Sequence, residues 1–520
     1  MIEHLPVLLV VLPIIGASVP LVASLYTDRI GWSIAVLTML AYAALAGLLA
    51  QQVWPDTVVS YAVGGFALPY GIELVVDGLS LAVVLLISAI TLGVLAYARH
   101  AGPHENTFYS QLLLLVTGLT GMTVTGDVFN LYVFLEITGL AAYGLVASGR
   151  EASAAVAALK YLIIGTVGAS LYLLGVGYAL AVTGTLNMAD MSGKLAAVGY
   201  DSTLVLTAFG LMVGGLSVKV ALFPLHTWQP DAYANSPDSV SAFISALVST
   251  VSAYALARLL FSVFTVDFLT AVPAARWALI VVASVSIVAG SALAVSQASV
   301  QRMLAYSSVS QFGLVIAGFA VATPIAVVGA TVHLVGHAVM KGGLFAATGI
   351  IERETGTTTI GGYAGMGGRT PLAAGAFTVL ALGMVGVPPA IGFVGKWYIL
   401  VGAVEAELWP VVAVLLASTL LTLAYFARLG ERLYFAEPTI REEGAIADGG
   451  EGSDGGERAE GSRSSSEPRS EGGDGDDGEN AVSTGMLAVL VVAAVLAVAL
   501  TAAVPALEQL LTETLPPLIQ

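Results

Sequence analysis

Residues 203–228 read TLVLTAFGLMVGGLSVKVALFPLHTW. The run is apolar for long enough to cross the hydrocarbon core of a bilayer, which takes about 20 residues as a helix. Yet Lys219 lies well inside it and Pro224 closes it. An ionisable group at the centre of a membrane helix costs about 2.5–3.5 kcal/mol on insertion scales. Proline removes a backbone donor and frees a carbonyl, and in lipid those groups need protein or water partners. A span that keeps both features points to a working part of a membrane protein.

The rest of the chain agrees. Of its 520 residues 57% are hydrophobic and 10% charged, and the mean hydropathy is +0.89. A soluble domain is roughly 25% charged. Apolar runs of spanning length fall at 5–26, 31–52, 77–98, 108–125, 128–148, 155–182, 203–223, 239–262, 273–296, 302–322, 325–349, 371–403, 408–434 and 484–506. The predicted class is therefore an all-α integral membrane protein of about 14 transmembrane helices. The opening MIEHLPVLLVV lacks a basic region and a small-residue cleavage site, so it reads as the first span.

Composition also excludes chemistry. There are no cysteines, so no disulfide framework and no thiolate-bound zinc or iron–sulfur site. The six histidines are scattered, except for His333 and His337, and no acidic ligand accompanies that pair, so no metal is expected. No glycine-rich phosphate loop follows a strand-like run, and no cofactor is expected. The chain offers no catalytic residue set of its own.

Residues 437–480 hold 14 Asp/Glu and 4 Arg, a net −10 out of −16 for the whole chain. The 437–481 segment reads as a disordered acidic loop whose surplus charge suits a high-salt cytoplasm. Ten Lys or Arg, among them Arg29, Arg99, Arg150, Arg353 and Arg441, sit in or beside loops after odd-numbered spans. Three sit near the even loops: Lys194, Arg258 and Arg276. The positive-inside rule then puts both termini outside a plasma membrane and the acidic loop in the cytoplasm.

Span seven has Lys219 beside Pro224, and span twelve has Lys396 after Pro388 and Pro389. Those spans are five helices apart, and an odd number of helices per unit inverts the second copy. Two inverted five-helix repeats are predicted (spans 4–8 and 9–13), each with a Pro-broken helix. The expected organisation is 1–107 (three helices), 108–262 (first repeat), 273–436 (second repeat), the 437–481 loop, and a final helix at 484–506.

Glu136, Lys219, Lys341 and Lys396 are ionisable groups inside apolar runs; Lys160 lies near a helix end, where snorkelling would bring its charge to the interface. A lysine and a carboxylate that pair and separate push a proton on or off their neighbours. His333, His337 and Lys341 stand at i, i+4 and i+8 on one helix face. Imidazole titrates near neutrality and suits proton transfer. A proton relay leads over buried structural pairs, though for Lys341 an ion pair is an equal rival.

Several stretches carry a resemblance: Val76-Asp77-Gly78-Leu79-Ser80, the 125–136 run TGDVFNLYVFLE, Lys219–Trp228, Arg302–Gln311 (RMLAYSSVSQ), His333–Lys341 (HLVGHAVMK) and Gly392-Phe393-Val394-Gly395-Lys396. Through them the chain resembles the antiporter-like membrane subunits shared by Mrp-type cation/proton antiporters and respiratory complex I. The 126–133 run and the lysine in span twelve look most like the D-subunit branch. The resemblance implies a hetero-oligomeric complex of membrane subunits in the lipid bilayer, moving H+ and Na+, with no nucleic-acid partner. It implies that Glu136 pairs with Lys219, that His333 and His337 carry protons between half-channels, and that Lys396 gates the other side.

Where such proteins usually have a lysine in span eight, this chain has Thr250, between Ser249 and Ser252. A threonine orders water but holds no charge. The central link is then altered, bridged by water near Ser249, Thr250 and Ser252, or lost. Three functions follow in order: a Na+/H+ antiporter subunit, a proton-pumping subunit of a complex I-like or hydrogenase-like assembly, and a non-conducting structural subunit.

Overall fold

The computed structural model describes residues 2–514 except 28, 55, 56, 67, 150 and 438–481. The expectations for the acidic loop, Arg150 and Arg441 thus lie outside the described residues, except Glu437. The first helices are α1 (Leu5–Ala23), α2 (Gly31–Val53), α3 (Gly78–Ala101), α4 (Asn106–Val124), α5 (Val128–Ala147) and α6 (Ala152–Thr183). They are followed by α7 (Met188–Val198), α8 (Thr203–Val220), α9 (Gln229–Asn235), α10 (Asp238–Arg258), α11 (Thr265–Ala271), α12 (Pro273–Ser296) and α13 (Val300–Val321). The remainder are α14 (Pro324–Thr355), α15 (Met366–Arg369), α16 (Pro371–Val385), α17 (Ile391–Glu405), α18 (Trp409–Phe435), α19 (Thr484–Ala499) and α20 (Val504–Thr514).

The protein is an all-α integral membrane protein. Thirteen helical stretches among the described residues are long and apolar enough to cross a membrane. The fourteenth expected span, 371–403, is divided into α16 and α17, each too short alone. The sequence reading did not anticipate the antiparallel pair β1 (Val59–Ala62) and β2 (Glu73–Val76), or the short α7, α9, α11 and α15.

Burial is arranged inside out relative to a soluble protein. Helices α10, α13 and α14 are buried along nearly their whole length. Leu37, Val156, Val281 and Leu420 on α2, α6, α12 and α18 are exposed, the face a bilayer covers. The three buried helices carry polar residues in the interior, among them Ser249, Gln311, His333, His337 and Lys341.

Both predicted breaks are present. Helix α8 stops at Val220, with Ala221 in the left-handed region (φ +66°) and the Leu222 N–H donating to the Ser217 carbonyl at 3.0 Å. Helix α16 stops at Val385, with Gly386 left-handed (φ +94°) and the Val387 N–H donating to the Leu382 carbonyl at 3.0 Å. The same six-to-one closure ends both half-helices. The packing around the breaks differs: α6 lies chiefly along α8, before the first break, and α14 chiefly along α17, after the second.

Candidate functional site

A helix broken inside a membrane frees carbonyls that must be satisfied locally. At the first break the indole N–H of Trp228 donates to the Val218 carbonyl at 2.9 Å, and the Ser249 hydroxyl donates to the Lys219 carbonyl at 3.3 Å. The Phe223 N–H donates to Ser286 Oγ of α12 at 3.1 Å, tying this break to the second half of the chain. Lys219 is buried, and its ammonium donates to the Tyr143 hydroxyl at 2.9 Å. No Glu136–Lys219 ion pair closer than 4.0 Å is present among the described residues. Glu136 Oε1 is buried with no hydrogen-bond partner.

From the Lys219 carbonyl a polar cluster runs into the interior. Ser249 Oγ accepts from the Gln229 amide at 3.2 Å, and the same amide donates to Tyr233 Oη at 3.1 Å. Ser252 donates only to the Val248 carbonyl of its own helix. Thr250 Oγ1 is buried without a partner. Of the three residues expected to bridge by water, the structure joins Ser249 alone to Lys219.

The second cluster lies on α13 and α14. The Lys341 ammonium donates to the Leu304 carbonyl at 2.7 Å and to the Ser307 hydroxyl. No carboxylate pairs with it among the described residues, so the rival ion pair for Lys341 is not what holds it. His333 Nε2 and Gln311 Oε1 are 2.9 Å apart, while both ring nitrogens of His337 are buried without partners. The backbone of α17 at Gly395 lies against His333, one residue from Lys396.

At the second break Lys396 itself satisfies the freed carbonyls, donating to Met384 at 2.8 Å and Val385 at 3.1 Å. Its side chain, half-buried, borders a cavity of about 200 Å³ lined by Leu314, Phe393, Trp397, Leu415 and Thr419. Pro389 is anchored from the last span, whose Thr501 hydroxyl donates to its carbonyl at 2.6 Å.

Two charged clamps hold the helices that carry these groups. Asp231 accepts from Lys160 at 2.5 Å and from Arg302 at 3.0 Å, joining α6 to α13; Lys160 is engaged there instead of snorkelling free. Asp77 caps α3 and pairs with Arg258 of α10. Burial alone would raise the Asp77 carboxyl. The Arg258 charge and the hydrogen bonds from Arg258 and Ser80 outweigh it and hold the group below the ordinary carboxylate range.

Residues 125–422 match the family described as NADH:quinone oxidoreductase/Mrp antiporter, TM. The chain belongs to this family. It is 42% identical over 469 residues to the N subunit of NADH-quinone oxidoreductase from Desulforudis audaxviator, covering 86% of this chain and 91% of that one. It is 32% identical over 397 residues to the D subunit of the Na(+)/H(+) antiporter from Bacillus subtilis, covering 76% and 79%. Among solved structures, a chain of the Mrp complex from Dietzia superposes with a TM-score of 0.86 at 26% identity, covering 100% of this chain and 98% of that one. Relatives of both kinds named by the sequence motifs are therefore present, and the chain is an antiporter-like membrane subunit.

Tyr143, Gln229, Ser307 and Gln311 are site residues that sequence reasoning missed. Tyr143 had a legible signal. It stands seven residues after Glu136, with Gly139 between them at the third, so all three share one face of α5. Gln229 had none, because a neutral polar residue in a membrane helix carries little cost to advertise its use; Ser307 and Gln311 lie in the Arg302–Gln311 stretch, but nothing singled them out within it.

Proposed function

We propose that this chain carries protons across the membrane through Glu136, Lys219, His333, His337, Lys341 and Lys396, within a hetero-oligomeric Na+/H+ antiporter. One observation carries the reading. The most buried helices of the fold hold ammonium, imidazole and hydroxyl groups, several of whose atoms have no protein partner: Thr250 Oγ1, both nitrogens of His337 and Gln311 Nε2. Buried polar atoms are almost always satisfied, so such atoms are the places water would occupy. Water bridging at Thr250 would replace the charge that a lysine supplies elsewhere in the family.

In this reading spans 4–8 (108–262) and 9–13 (273–436) are two inverted units, and the matched closures at Ala221 and Gly386 support it. The Lys and Arg bias supports a plasma-membrane orientation with both termini outside. Inward proton flow drives Na+ out, each charge crossing being worth about 2.3 kcal/mol per 100 mV. The second reading is a redox-driven proton pump, favoured by the 42% identity that covers 91% of a complex I subunit.

The test is Na+-induced proton movement in inside-out vesicles carrying the whole gene cluster, wild type against Lys219→Ala at matched expression. Exchange without respiratory substrate in wild type, lost in the variant, supports the antiporter. Acidification only on addition of an electron donor supports the pump. Unchanged transport in Lys219→Ala overturns both and leaves a structural subunit.

A further inference from the structure

The Lys219 ammonium sits in a niche built for it. Gly139 of α5 and Gly165 of α6 form its walls. A methyl group at Gly139 would stand 3.0 Å from Lys219 Nζ and 2.9 Å from Tyr143 Oη, and one at Gly165 would stand 3.3 Å from Nζ and collide with the tyrosine hydroxyl. Any side chain at either position would close the niche. The ammonium also lies 5.4 Å from the Tyr143 ring centroid, within the reach of a cation–π contact.

The hydroxyl that receives the ammonium is rigidly placed. Tyr143 meets Tyr161 edge to face at 4.6 Å, Tyr161 stacks flat on Trp228 at 3.9 Å, and Trp228 caps the broken end of α8 one residue from Lys219. The acceptor and the donor are thus fixed to the same break by a column of three aromatic rings. Glu136, two helical turns before Tyr143 on the same face of α5, has a buried oxygen with no partner.

We propose that Tyr143 is a positioning residue whose hydroxyl holds the Lys219 ammonium in a docked place that alternates with Glu136, in room left by Gly139 and Gly165. The inference rests on the reading of Lys219 as a proton carrier. The phenol keeps its proton and accepts a hydrogen bond; the ammonium donates. When the ammonium leaves for Glu136, the carboxylate gains the partner it lacks here, and the tyrosine hydroxyl is released. Without the second dock Lys219 would have one strong partner, and leaving that partner would expose a bare charge to the interior.

From α5 Lys219 is faced by Tyr143, with Glu136 two turns earlier on the same helix face, from α6 by Tyr161 behind Tyr143, and from α10 by the neutral Ser249. Tyr143→Phe keeps the ring column and removes only the dock. In vesicles containing the full complex, the maximal exchange rate should fall about tenfold, the order lost with a hydrogen bond to a charged group. Half-saturating Na+ should be unchanged, and the pH profile should be displaced by about one unit. Gly165→Ala crowds the hydroxyl without deleting it and should displace the profile in the same way.

A wild-type rate and pH profile in Tyr143→Phe, with Lys219→Ala inactive, would overturn the proposal. If Tyr143→Phe fails to assemble, a normal profile in Gly165→Ala overturns it instead. Wild-type transport in Lys219→Ala would bring down the relay reading itself, and this inference with it.

Discussion

The two broken helices end on the same backbone closure, yet they treat their lysines differently. Lys219 precedes its break and hands its ammonium to a side chain, Tyr143, in a closed niche, while Trp228 and Ser249 satisfy the freed carbonyls. Lys396 follows its break and spends its ammonium on the freed carbonyls of Met384 and Val385, beside an open cavity. A lysine with other groups to cap its helix is free to move without unravelling it. A lysine that is itself the cap is tied to the backbone. Under the proposed function, the first break would exchange partners internally and the second would gate one face.

The largest expected difference is in transport. Removing a positioned proton carrier costs on the order of 100-fold or more, and Lys219→Gln should lose that much of the exchange rate, because nothing in its niche replaces it. Lys396→Gln should lose roughly tenfold, the order of a hydrogen bond to a charged group, since an amide can still donate to the freed carbonyls of Met384 and Val385. Equal losses at the two positions would erase the distinction.

Accessibility comes next. The chain has no cysteine, so single cysteines label against no background. A thiol placed by Lys396→Cys should react with a membrane-impermeant reagent at least about tenfold faster than one placed by Lys219→Cys, reactivity following exposure and thiolate character. Faster labelling at 219 would mean the niche is the open side.

The closures themselves predict opposite signs. Ala221→Gly relieves a left-handed alanine, which costs roughly 1–2 kcal/mol, and after the entropy of glycine it should stabilise by about 0.5–1 kcal/mol. Gly386→Ala imposes the same cost and brings a methyl within 3.2 Å of Lys396 Cδ, so it should destabilise by about 1–2 kcal/mol. Thermal unfolding of the purified complex checks both, and a gain at 386 would break the analogy.

The last contrast is one of pH, at the Asp77–Arg258 clamp. A carboxyl held below its unfolded value adds stability that is complete above that value and is lost as pH falls through the folded one. Asp77 is such a group. The loss therefore begins as pH falls into the ordinary carboxylate range and is complete only below the folded value, and Asp77→Asn should flatten the acid limb of a stability–pH curve while lowering its plateau.

Much of this was legible in the amino acids. Scarcity made it so: in a chain with 10% charged residues, a lysine in an apolar run carries a cost large enough to notice, and a proline beside it marks where the helix stops. The spans, both breaks at Pro224 and Pro388–Pro389, and the family were all read from such local signals. The partner of Lys160 was not legible, because Asp231 is 71 residues away and joins it only when α9 folds back.

What the sequence determined by itself is thus the list of costly groups and the helices that carry them, since insertion and helix formation depend on composition over about 20 residues. Which partner each group meets was decided by tertiary packing alone. Tyr143 receives Lys219 because two glycines on different helices leave room for it, and Thr250 has no partner because no polar atom of α13 or α14 reaches it. Hydrogen bonds act over about 3 Å, and only the assembled bundle fixes distances that short.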